Sequence, residues 1–363
     1  MVYRLGKMYR PTTKNEYWFC GILLVQTLLI TTLEVYILVQ WLGWVNDNVT
    51  QVTTSYIVPI GMGLVTFACL YETLLSLDAI HHKNNILLAA ICISNACIVV
   101  YSVLQYMRMR VTTHTLQYNQ DSTGRPLADP TRDIWALMQP AELLIPIILG
   151  LTSLTIIPAA YRLHKDYAWE IYKCIHGSAD LRLRYLAYEI YLVLVRFDFF
   201  FLVGFIIQYN LIDVHFDEPE YSLTMAIIPA ALVIMVFGIY CVKSELRPGM
   251  IIVIVSLLGL MAYILSRIIV LCGNTRRAFT PGKEMMLLFA GVTLALIVPT
   301  LVCAVQCMRN FDSGLKSVTH QETQWPGSSY MFKRLSSRGN SPTNARYDTR
   351  YNPRLSLYYN IMK

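Results

Sequence analysis

The chain has 363 residues, 55% of them hydrophobic and only 15% charged. An ordinary soluble domain carries about 25% charged residues, so the composition argues against a soluble globular protein. The formal net charge of +7 does not point to nucleic acid, because Lys and Arg gather at the edges of apolar runs and in the tail, with no basic-aromatic binding segment.

Eight apolar runs are long enough to span a bilayer, for which about 20 residues suffice. They lie near residues 18–42, 56–80, 86–106, 136–161, 185–209, 221–242, 249–272 and 285–307. Each must be helical, because hydrocarbon offers no partner to an open backbone amide. The expected fold is an all-α polytopic transmembrane bundle over 18–307, with an N-terminal arm at 1–17. A basic tail at 308–363, rich in Ser, Asn, Arg, Pro and Gly, lacks apolar periodicity and is expected to be disordered. Trp18, Trp41, Tyr56, Tyr106, Trp135, Tyr185 and Tyr221 fall at run edges, as an aromatic belt does.

In chain order, the first run is too long for the apolar region of a cleavable leader and no small-residue cleavage site follows it, so it reads as a signal anchor. It carries Glu34, and the loop after it holds the one glycosylation sequon, at Asn48. The second run contains Glu72 and Asp78 and ends on His81 and His82. The fourth contains Glu142, and the segment 162–184 follows it. There, Ala168, Trp169, Ile171, Tyr172 and Ile175 form an apolar stripe beside Lys and Arg. Two readings stand: a helix lying in the membrane interface or an extension of a neighbouring span. The fifth run holds Glu189, Arg196 and Asp198, and the seventh holds Arg267 near its end. The eighth ends with Cys303 and Cys307, candidates for palmitoylation.

Orientation follows from Lys and Arg, which favour the cytosolic side. With a cytosolic N-terminus the inside segments carry 21 of them and the outside loops 7. Both termini are therefore expected in the cytosol. The nine cysteines offer no lumenal pair to oxidise, since only Cys272 lies near a lumenal end.

Ionisable groups inside spans are costly and mark function by default. The candidates are Glu34, Glu72, Glu142, Glu189, Arg196 and Asp198. Glu189 and Arg196 are seven apart and share a helix face, so Arg196 is expected to point inward and meet Glu189 or a carboxylate on another helix. Such groups can form a coupled site of a proton- or cation-linked carrier, or a structural ion pair that fixes packing. Asp78 and His82, one turn apart, read as a polar helix end rather than a metal site. No metal, cofactor or enzyme activity is expected: there is no P-loop, His-Glu-x-x-His or Gly-x-Ser-x-Gly pattern.

The stretch His176-Gly177-Ser178-Ala179-Asp180-Leu181-Arg182-Leu183-Arg184-Tyr185-Leu186, continuing through Arg196-Phe197-Asp198-Phe199-Phe200-Phe201 to Gln208, resembles the fungal Golgi apparatus membrane proteins of uncharacterised function. The resemblance implies a multi-pass protein of the Golgi membrane and brings no functional residues. Three functions compete. A transporter needs deep ionisable groups at one water-accessible site, with an ion or small molecule as substrate. A membrane-organising or trafficking protein needs isolated ion pairs and partners for the tail. A receptor-like bundle conflicts with an even helix count.

Overall fold

In a computed structural model, the described residues are 11–311 without 12, 47–56, 119, 121–123, 125, 130–131, 175–178, 215–218 and 274–281. The sequon Asn48 and the tail from 312 lie outside them.

Thr13 opens the first helix with a reciprocal cap. Its hydroxyl oxygen accepts from the Glu16 N–H at 3.3 Å, and Glu16 Oε2 accepts from the Thr13 N–H at 3.1 Å. From there α1 runs Lys14–Trp44, α2 Ile57–His82, α3 Asn85–Tyr118 and α4 Ile134–Cys174. Then come α5 Ala179–Gln208, which continues into a π-helical turn Tyr209–Val214, α6 Glu220–Lys243, α7 Arg247–Cys272 and α8 Lys283–Arg309. All eight are long and apolar enough to cross a membrane. Below, the side on which α1 begins is the near side and the opposite one the far side.

The tight connections have local causes. Between α2 and α3, Lys83 takes a left-handed conformation at φ 50°. Asn84 then caps α3, its Oδ1 accepting from the N–H groups of Ile86 and Leu87 at 2.9 Å each. Between α6 and α7, Glu245 takes φ 54°, and Pro248 sits in the first turn of α7, where its missing N–H costs nothing. The 162–174 segment is the helical extension: α4 runs unbroken for 41 residues. Its C-terminal part is held to the start of α1 on the near side, since the Tyr167 hydroxyl donates to Glu16 Oε1 at 3.1 Å and Asn15 Nδ2 to Asp166 Oδ2 at 2.8 Å. On the far side, part of the loop after α3 folds back over the end of α1. The Trp44 indole N–H donates to the Asp129 carbonyl at 2.9 Å, and the Asn46 N–H to that of Leu127 at 3.0 Å.

The helices pack as two rings of four. In the first, α1 packs on α2 and α4, and α3 packs on α2 and α4. In the second, α5 packs on α6 and α8, and α7 packs on α6 and α8. Each ring starts with a helix leaving the near side, so the two have the same orientation, not the inverted one. Helix α5 joins them by touching α2 and α3. It is the central helix, with 67% of its apolar stretch buried against 17% for the peripheral α6. The outward faces are apolar: Leu154 and Leu223 are 71% and 74% exposed. Large apolar side chains outside and amides and carboxyls inside reverse the soluble pattern, as a hydrocarbon solvent demands.

An aromatic ladder fills the seam between the rings. Phe200 of α5 stacks on Phe67 and Tyr71 of α2, with centroids 5.5 and 5.4 Å apart. Phe201 lies against Phe200 at 5.1 Å and against Phe289 of α8 at 5.8 Å, and Phe289 meets Tyr101 of α3 edge-on. Gly204 makes this possible, because a Cβ there would overlap the Phe289 ring.

Candidate functional site

The near side holds an ion pair. Arg196 leaves α5 well inside the bundle, but helical side chains lean toward their own N-terminus. The guanidinium therefore reaches back toward the near side, where Nη2 lies 2.7 Å from Asp78 Oδ2 on α2. His82 Nδ1 lies 3.1 Å from the other oxygen, and the Tyr71 hydroxyl donates to the Arg196 carbonyl at 2.8 Å. Of the two partners the sequence allowed, the carboxylate on another helix is the one found. Glu189 is buried on the same helix and has contacts of its own.

Deeper in the first ring lies a network of amides. Asn95 Nδ2 on α3 lies 2.9 Å from Glu72 Oε2 on α2 and 3.0 Å from Gln26 Oε1 on α1. Gln26 in turn approaches the Cys69 sulfur at 3.8 Å. Glu72, Gln26 and Asn95 are buried. Glu72 Oε1 and Asn95 Oδ1 have no hydrogen-bond partner. Beside them, the Thr27 hydroxyl lies 2.8 Å from that of Thr73 and donates to the Cys69 carbonyl at 2.9 Å.

Toward the far side, three helices bring together Glu34 of α1, Gln105 of α3 and Glu142 of α4. Glu34 and Glu142 face one another electrostatically, and the Gln105 amide neighbours both. All three are buried, the carboxyls at 3% and 1% exposure. Among the described residues no donor makes a well-formed hydrogen bond to either oxygen of Glu34, to Oε1 of Glu142 or to Oε1 of Gln105, and the Gln105 amide is the one donor near both carboxyls. Gly61 on α2 leaves room for the amide, since a Cβ there would stand 3.3 Å from Gln105 Oε1. A cavity of about 20 Å³ borders Gly61, Tyr101, Gln105, Arg108 and Met285. That is room for one water. Ile57 and Met285, which also line it, begin α2 and sit at the start of α8 on the far side, so the amide stands one water-sized step from that end.

In the second ring, Asp198 Oδ2 accepts from the Thr300 hydroxyl of α8 at 2.6 Å, while Oδ1 is buried without a partner. Arg267 forms the far-side pair: Nη1 lies 2.9 Å from Glu220 Oε1 and 3.0 Å from the Tyr209 hydroxyl, with the guanidinium over the rings of Tyr209 and Tyr263. Cys307 is buried among Tyr191, Ala304 and Phe311, and Cys303 is half-buried. Cys20, Cys69, Cys92, Cys97, Cys241, Cys272, Cys303 and Cys307 are free thiols. Among the described residues no three His, Cys, Asp or Glu side chains cluster as a metal site.

The six ionisable candidates thus separate. Arg196 belongs to a compensated pair with Asp78. Glu34 and Glu142 meet at one site, Glu72 sits in the adjoining amide network, and Glu189 and Asp198 are buried on α5 in the other ring. Gln26, Asn95 and Gln105 were missed because a search for charges passes over amides. Their signal was present: Asn95, Ser102, Gln105 and Thr112 lie on a buried face of α3 at spacings of three to seven.

The chain is homologous to a UPF0658 Golgi apparatus membrane protein of Schizosaccharomyces pombe, with 26% identity over 319 residues, covering 84% of this chain and 89% of the relative. The family resemblance read from residues 176–208 therefore extends over most of the chain. No family model and no solved structure matches it.

Proposed function

We propose that this chain is a multi-pass Golgi membrane protein whose first helical ring binds a cation between Glu34, Gln105 and Glu142 and couples its movement to transport of a solute. The observation that carries this reading is a pair of neighbouring buried carboxyls, Glu34 and Glu142, that share one amide, Gln105, and have no counter-charge among the described ion pairs. A structural role would have supplied each carboxyl with a donor or a counter-charge, as Asp78 and Glu220 have been. Two neighbouring carboxyls without such a partner cannot both stay charged unless a cation joins them. A proton or a metal ion meets that need, and hard cations take oxygen ligands of this kind. With the termini in the cytosol, the water-sized cavity opens the site toward the lumen, and the Glu72 network continues the polar path inward. No covalent chemistry is assigned to any residue.

The test is flux in proteoliposomes holding the full chain, under a proton gradient in one arm and a sodium or calcium gradient in the others. The expected result is flux in one arm that falls at least tenfold in both Glu34→Gln and Glu142→Gln, with monodisperse elution retained. Equal flux in native protein and variants, or none above protein-free liposomes in any arm, overturns the reading.

A further inference from the structure

The second ring holds a cavity that the cation site does not use. It measures about 290 Å³ and lies between α5, α6 and α7. Its walls are mostly apolar, with Phe199, Ala231, Ile234 and Leu257 among them, and Ser256 and Tyr263 bring hydroxyls. Small side chains create it: Ala230 and Ala231 face it from α6, and Gly259 from α7, where an added Cβ would meet nothing within 4 Å. The lining residues of α6 fall at 227–235 of a helix spanning 220–243, and those of α7 at 256–263 of one spanning 247–272. The cavity is therefore centred near the middle of both spans, at the level of the hydrocarbon.

One charged side chain lines this space, Asp198, only 4% exposed. The Thr300 hydroxyl lies 2.6 Å from Oδ2 and 2.8 Å from the Leu296 carbonyl, so its one proton is divided between two acceptors. Oδ1 has no partner, and no Lys, Arg or His lines the cavity. A mostly apolar chamber with a single buried, half-satisfied carboxylate lacks a positive donor on a hydrocarbon body.

We propose that this cavity binds a lipophilic amine, its ammonium donating to Asp198 Oδ1 and its alkyl chain lying against the α6 and α7 walls. An alkane leaves the carboxylate oxygen unpaired, and an alcohol supplies a hydrogen bond without the charge. A soluble ammonium such as choline lacks the chain that fills the walls.

The experiment is equilibrium binding of tritiated dodecylamine to the full chain in phosphatidylcholine nanodiscs, with partition into protein-free nanodiscs subtracted. The expected result is saturable binding near one per chain, competed by unlabelled dodecylamine at least tenfold better than by dodecanol. Asp198→Asn weakens it at least tenfold. Ala231→Phe, which fills the chamber from the α6 wall and leaves the carboxylate in place, abolishes it, so the question stays decidable should the Asp198 variant fail to fold. Non-saturable uptake, equal competition by dodecanol, or unchanged binding in Ala231→Phe overturns the proposal. No ion gradient enters the measurement, so its failure is separate from failure of cation coupling.

Discussion

The two rings share a packing order and an orientation, yet they fill their interiors differently. The first buries Gln26, Glu34, Glu72, Asn95, Gln105 and Glu142 across its four helices; the second buries mostly aromatic and aliphatic side chains, with Glu189, Asp198, Gln208 and Asn210 on the central helix and the turn that continues it. In lipid, burying apolar surface between helices gains little over leaving it in hydrocarbon, so close packing and polar contacts hold helices together. The second ring follows that rule through close approach, at Gly204 against Phe289 and at Gly238 against the Tyr191 hydroxyl. Both rings also keep acceptors that no donor meets, gathered between Glu34, Gln105 and Glu142 in the first and at Asp198 and Asn210 in the second. A polar group left that way stabilises nothing, so its retention points to work rather than to packing.

The comparison can be broken most forcefully at the seam. Asp78→Ala strands the Arg196 guanidinium, and losing one partner of a buried pair costs about 3–5 kcal/mol. The side chains here are 13% and 21% exposed, so ~3 kcal/mol is expected, read as thermal unfolding in detergent. The paired change Asp78→Leu with Arg196→Met should recover most of it. A double variant as unstable as the single one would mean that the pair is not the cause. Next in size, Gly204→Ala drives a methyl into the Phe289 ring, and overpacking of this kind costs about 1–3 kcal/mol. Adding Phe289→Leu should relieve it, and additive losses would contradict the close approach.

The acceptor site should behave in the opposite way. Glu34→Gln and Glu142→Gln introduce amide donors where oxygens lack them, so stability should hold within about 1 kcal/mol or rise. A loss as large as that of Asp78→Ala would make these carboxyls structural. The smallest effect expected is at the α2–α3 turn, where Asn84→Ala removes an N-cap worth about 1 kcal/mol. An unchanged melting temperature there would remove the cap from the account.

The spans were legible because hydropathy over 20 residues needs no tertiary information. Helix ends were less so. The sequence reading stopped the third span near 106, but α3 continues to Tyr118 because Thr112, Thr113 and Leu116 pack inward although the stretch is polar on average. Pairing was legible only as an alternative. Nothing along the chain says that Arg196 meets Asp78, since the contact depends on α2 lying beside α5. Likewise Glu34, Gln105 and Glu142 come from three helices, so each could be listed or missed alone but not assembled. Asp198 was visible as a deep charge, whereas the chamber beside it depends on the small residues of α6 and α7 coming face to face.

The central claim is that Glu34 and Glu142 hold a cation at a site reached from the far side. The most direct test is infrared difference spectroscopy of the carboxyl bands in oriented proteoliposomes, stepping pH or metal-ion concentration on that side alone. The account predicts a buried carboxyl signal that responds to the step and disappears in the Glu34→Gln, Glu142→Gln double variant. Identical difference spectra from native protein and double variant would contradict it.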